Sequence, residues 1–175
     1  PPFTFIDIQR NSMFILFRTL LLIIPVLISV SPSFSADSFQ GRILKVIDGD
    51  TLRVKRTADS TPVAIRLYGI DCPEKTQKYG SDARQLTLDL TSNKTVTIKS
   101  HGLGRYERTI GEVILSNGQN LNHELVRSGM CWWYRRYTPN DETLSRLEKE
   151  SREGKRGLWE NPNPIPPWEW RKRRK

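Results

Sequence analysis

The stretch Gly41–Lys55 admits few structures. Ile43, Leu44, Val46 and Ile47 run into Asp48-Gly49, and Thr51-Leu52-Arg53-Val54-Lys55 then alternates polar and apolar. An Asp-Gly step between two apolar runs is a strong signal for a tight hairpin, and strict alternation is that of a half-buried strand. The chain is therefore committed to antiparallel pairing early, and the rest must be consistent with a sheet that covers one apolar face.

Further strands are predicted over Thr61–Ile70, Lys94–Lys99 and Arg108–Leu115. Pro73 keeps Cys72 extended and ends the ladder there. Helices are predicted over Tyr79–Leu90, with Ala83, Leu86 and Leu90 on one stripe, and over Leu121–Ser128, stopped by Gly129. A third is predicted from the cap Asn140 to about Arg156, with Leu144, Leu147, Ser151, Gly154 and Leu158 along one side and Gly157 placed to stop it. Strands in the first half followed by helices imply an α+β, mainly β domain. Five strands with an interposed helix and about three helices in all fit an OB-fold barrel, an architecture that often binds nucleic acid.

Residues 1–36 differ from the rest. Arg10 and Arg18 lead into an apolar run, Leu20 to Val30, broken only by Ser29. That run is short of the roughly 20 residues a bilayer needs. Ser33-Phe34-Ser35 then offers small residues before Ala36, the arrangement of a secretory signal peptide, with Met13 as a candidate start. The expectation is a secreted or periplasmic protein; the alternative is a membrane anchor formed by an uncleaved segment. The domain is placed at 37–160, followed by a Pro- and Trp-rich basic tail, 161–175. The tail ends in Arg171-Lys172-Arg173-Arg174-Lys175, a cluster expected to make only diffuse contacts with phosphate.

The formal charge of the 175 residues is +9. Removing Arg10, Arg18 and Asp7 takes away one positive charge net, so the domain and its tail keep +8. Such a surface favours polyanionic partners (nucleic acid, acidic lipid or acidic polysaccharide), the alternative being a basic face that is merely solvated. On count alone, Cys72 and Cys131 permit either one bridge or two buried thiols.

Several acids sit at turns: Asp48, Asp50, Asp71 and Glu74. Carboxylates of this kind suit a hard cation such as calcium. An EF-hand reading of Asp48-Gly49-Asp50 fails, because its fifth, sixth and twelfth positions are Leu52, Arg53 and Asp59. Arg66 precedes Asp71 by five residues. With period-two alternation the two point to opposite faces unless the strand bends or ends between them.

Val46-Ile47-Asp48-Gly49-Asp50-Thr51, Ile65-Arg66-Leu67-Tyr68-Gly69-Ile70-Asp71-Cys72-Pro73-Glu74 and Tyr106-Glu107-Arg108-Thr109 resemble, in order and separation, the signature segments of the staphylococcal nuclease family. Asn122–Gly129 and Lys155–Trp159 resemble its later helices, so the likeness covers roughly residues 40–160. It implies an OB-fold enzyme that hydrolyses DNA and RNA phosphodiesters with Ca²⁺ and leaves 3′-phosphates. By motif position, Asp50, Asp71 and the main-chain carbonyl of Cys72 would hold the ion. Glu74 would be the general base, Arg66 and Arg108 would clamp the phosphate, and Asp48 would stand behind the ligands. Tyr134 and Tyr137 would contact substrate, single-stranded or locally unpaired nucleic acid, on a monomeric enzyme. Trp132, Trp133, Tyr134 and Tyr137 interleave with Arg135 and Arg136, which reads either as a base-stacking platform or as core packing beside solvated arginines.

The likeness also brings the loops after residue 70 and after Gly129 to one place and so implies a Cys72–Cys131 disulfide. Two departures stand out: Glu107 where the family commonly has glycine, and Cys72 in place of threonine. The rival reading is a non-catalytic OB-fold module that binds nucleic acid; the presence of Asp50, Arg66, Asp71, Glu74 and Arg108 together favours the enzyme.

Overall fold

A computed structural model of the chain describes residues 37–174, so the expected signal segment lies outside the described residues. Five strands close a barrel: β1 (Ser38–Asp48), β2 (Thr51–Arg56), β3 (Pro62–Leu67), β5 (Thr95–Leu103) and β6 (Thr109–Ile114), in the order β1-β2-β3-β6-β5. Strand β4 (Ile70–Asp71) pairs with β7 (Trp132–Trp133) outside the barrel. Helices are α1 (Gly80–Thr91), α2 (Leu121–Arg127), α3 (Glu142–Glu153) and α4 (Pro167–Arg173).

β1 is long enough to serve two neighbours. Its first half pairs with β5, from Ser38↔Lys99 to Arg42↔Thr95, and its second half pairs with β2, from Gly41↔Arg56 to Asp48↔Thr51. Register shifts at Ile43/Lys45 and Val46/Asp48 bend it around the barrel and turn Leu44 and Ile47 outward. β3 and β6 run parallel, and the other barrel pairs are antiparallel.

Leu52, Val54, Ile65, Leu67, Val96, Ile98 and Val113 fill the core, each 2% exposed or less. Leu121, Leu125 and Val126 of α2 and Leu144 and Leu147 of α3 extend it. Each such side chain contributes about 1.5–3 kcal/mol of transfer free energy. A second cluster gathers Trp132, Leu158 and Trp159, with Tyr79 and Trp168 packed against it.

Two expectations need correction. The third helix starts later and ends sooner than its periodicity implies. Asp141, not Asn140, is the cap: its carboxylate accepts from the Leu144 amide at 2.9 Å, and Gly154 closes the helix. The buried stripe therefore runs Leu144, Leu147, Glu148, Ser151. The tail is also more than a cluster of diffuse charge. Pro167 occupies the first turn of α4, where its missing N–H has no partner to lose, and the helix seats Trp168 against Trp132 at 5.5 Å between ring centroids. Among the described residues no helix is long and apolar enough to cross a membrane.

Candidate active site

The two-residue loop Gly49-Asp50 joins β1 to β2 and delivers Asp50 to the barrel rim. Gly49 is required by its neighbours: a Cβ there would lie 2.8 Å from Cys72 Cβ and 2.9 Å from Ala83 Cβ. Arg66 lies at the end of β3, and the chain then reverses at Gly69, whose φ is +74°. The strand thus stops between Arg66 and Asp71, and the odd spacing no longer separates them.

Arg66 bridges two buried aspartates. Its Nη1 lies 2.8 Å from Asp50 Oδ2 and its Nη2 2.8 Å from Asp71 Oδ1, while Nη1 also donates to the Ile70 carbonyl at 3.1 Å. This planar, two-pronged use is one that lysine could not reproduce. The Cys72 amide donates to Asp50 Oδ2 at 2.7 Å, and the Thr51 hydroxyl donates to Asp50 Oδ1 at 3.1 Å. Asp48 Oδ1 accepts from the Asp50 amide at 3.3 Å. Burial, then the charge of Asp50, pushes the Asp48 carboxyl up to about 6. Burial also raises the Asp71 carboxyl above the usual aspartate value, opposed by its hydrogen bond from Arg171.

Asp48, Asp50, Arg66, Asp71, Cys72, Glu74 and Arg108 all line one cavity of about 940 Å³, together with Tyr134 and Tyr137. Arg108 reaches it from the turn at 105–107, its Nε donating to the Arg105 carbonyl at 3.3 Å. The two tyrosines meet edge-on at 5.1 Å, and Tyr137 is 67% exposed. The sulfurs of Cys72 and Cys131 are bonded, which ties the loop after β4 to the segment entering β7.

Two residues that matter here escape a reading of the sequence alone. Arg171 of α4 enters the cavity. Its signal is a proline opening a helix, with Trp168 and Arg171 three residues apart and so on one face. Glu148 is 1% exposed and fixes the β7 region by accepting from the Trp133 amide at 3.1 Å and pairing with Arg135 at 2.8 Å. Its signal is position: four residues after Leu144 and three before Ser151, it falls on the buried stripe of α3, away from the solvated glutamates of that helix. Of the interleaved aromatics, Trp132 and Trp133 are buried, as core packing requires, whereas Tyr134 and Tyr137 face the cavity.

The family described as staphylococcal nuclease homologue matches residues 64–161, more than half of the chain. The chain belongs to the staphylococcal nuclease family. An uncharacterized endonuclease of Escherichia coli is 41% identical over 143 residues, which cover 82% of this chain and 91% of that one. The micrococcal nuclease of Shigella flexneri is 38% identical over 156 residues, covering 84% and 88%. A staphylococcal-like nuclease of Arabidopsis thaliana is 36% identical over 111 residues, covering 63% of this chain and 34% of its own length. As a family member the protein is a hydrolase of the endonuclease class. The family match ends before α4.

Proposed function

We propose that the protein is a secreted, calcium-dependent endonuclease that hydrolyses phosphodiester bonds of DNA and RNA as a monomer, preferring single-stranded or locally unpaired segments. The observation that carries this reading is the joining of Asp50 and Asp71 through Arg66 in the cavity that also holds Glu74 and Arg108.

The donor set suits calcium. Among the described residues no histidine lines the cavity, and the Cys72 sulfur is bonded to that of Cys131, so the site offers oxygens rather than imidazole or thiolate. Two buried carboxylates supplemented by a main-chain carbonyl and water are the hard oxygens that calcium accepts. Burial raises the Asp71 carboxyl, and burial followed by the charge of Asp50 raises that of Asp48. Burial of these carboxylates, with the charge of Asp50 adding to it, disfavours their ionised forms, and a bound cation would offset that. Asp50, Asp71 and the Cys72 carbonyl would hold the ion, with Asp48 supporting the Asp50 loop. Bound calcium supplies positive charge that polarises the phosphate.

The chain's own residues do the rest. Glu74 accepts the proton of the attacking water, a role open to an ionised carboxylate at neutral pH. Arg66 and Arg108 hold the phosphate oxygens on which charge grows during attack, each guanidinium having paired N–H groups to offer to two of those oxygens. Tyr134 and Tyr137 offer ring faces to unstacked bases. The N-terminal segment would direct export and be cut off between Ser35 and Ala36; mass spectrometry of the exported protein should find Ala36 at its N-terminus.

Digestion of denatured DNA tests the chemistry. Activity should require Ca²⁺, vanish in EGTA, and fall at least about a hundredfold in Glu74→Gln, the usual scale for loss of a general base. Full activity in EGTA, or in Glu74→Gln, would reject the ion or the base respectively.

A further inference from the structure

Arg171 lies directly on the acids of the candidate site. Its Nη2 donates to Asp71 Oδ2 at 2.7 Å, and its Nη1 donates to Glu74 Oε1 at 2.7 Å and to Asp71 Oδ1 at 3.3 Å. With Arg66 on Asp71 Oδ1, both oxygens of that carboxylate are engaged by guanidinium groups. The side chain of Asp71 is 2% exposed and that of Arg171 is 44% exposed, so a half-exposed cation caps a buried anion.

The helix that carries Arg171 is placed by other contacts. Trp168 packs on Trp132 and on Tyr134, the latter at 5.3 Å. Gln77 Nε2 donates to the Ile165 carbonyl at 2.6 Å, and Arg174 donates to Thr76 Oγ1 at 2.6 Å. These contacts hold α4 beside the 72–79 loop whether or not Arg171 makes its ion pairs. The arginine is thus presented to the acids by a fixed scaffold, and its side chain is free to leave without the helix.

Arg66 and Arg171 already share Asp71, and a divalent cation there would stand a few ångströms from both, where unit charges repel by several kcal/mol at the dielectric of a protein surface. Arg171, the more exposed of the two at 44% against 19%, is the one placed to leave. We propose that Arg171 is the resident counter-ion of the metal-free site, occupying Asp71 and Glu74 until a divalent cation takes Asp71. Its release then frees Glu74 to accept a proton. The proposal rests on the calcium-dependent reading above and adds an internal competitor to it. A competitor that occupies the site most of the time lowers the apparent affinity of the ion by the unoccupied fraction. A half-exposed bidentate pair that fills the site about nine-tenths of the time makes that factor about ten.

The test is calcium titration by calorimetry on the full chain without nucleic acid, with thermal unfolding in EGTA alongside. Four proteins are compared: the unsubstituted chain, Arg171→Gln, Arg171→Lys and Lys172→Gln. Arg171→Gln should bind calcium about tenfold more tightly. It should also unfold at lower temperature in EGTA, with the gap closing in saturating calcium. Arg171→Lys should fall between the two. Lys172→Gln removes the same charge next door and should bind as the unsubstituted chain does. Equal calcium affinity in the unsubstituted chain and Arg171→Gln overturns the competition while leaving the metal-dependent reading intact, as does an equal gain in Lys172→Gln. Absence of calcium binding in all four overturns both.

Discussion

Glu107 and Tyr106 hold φ of 56° and 59° in the turn that delivers Arg108 to the cavity. An L-residue in the left-handed region carries about 1–2 kcal/mol of steric cost that glycine does not. The position at which the family commonly has glycine is therefore one where this backbone asks for it, and the departure at Glu107 has a conformational cost. Glu107→Gly should stabilise the protein by up to about 1 kcal/mol after glycine's greater freedom in the unfolded chain is subtracted. Equilibrium urea unfolding measures that gain. A loss of stability would show that the Glu107 side chain contributes more than its backbone costs.

At the scale of elements, the loop that carries Asp71 and Glu74 is a suspended segment. Strand β4 is two residues long and leans on an equally short β7. The Cys72–Cys131 bridge spans 59 residues and fastens the two. A closed loop of that size constrains the unfolded chain by about 4 kcal/mol in the chain-entropy account. The double variant Cys72→Ser, Cys131→Ser should therefore lose about 3–4 kcal/mol of stability, seen as a lower urea midpoint. Added reductant should shift the unsubstituted chain but not the variant. Elements with local signals are legible in the sequence: the β1–β2 hairpin from Asp48-Gly49, α1 from its stripe, α2 from Gly129. The cap of α3 is one residue off in the sequence pattern because Asn140 and Asp141 are both good caps and only the fold decides between them. β4, β7 and α4 are not legible as elements, since two-residue strands carry no period and a seven-residue helix is held by what it packs against.

For the whole molecule, the sequence pattern supports a barrel but not its closure. The pairing of Ser38 with Lys99 and the parallel contact of β3 with β6 are long-range, and no local spacing encodes them. The same holds for the site. Resemblance nominates Asp50, Arg66, Asp71, Glu74 and Arg108, yet the link from Arg66 to both aspartates follows from the reversal at Gly69, and the arrival of Arg171 on Asp71 crosses 100 residues. The indole of Trp168, lodged between Trp132 and Tyr134, gives this assembly an optical gauge. Because α4 is anchored apart from Arg171, the tryptophan emission maximum should be the same in EGTA and in calcium, with Trp168→Phe identifying the reporting ring. A move to longer wavelength on adding calcium would mean that the whole helix leaves its seat, and that the tail works as a hinged cover whose position can be read by colour.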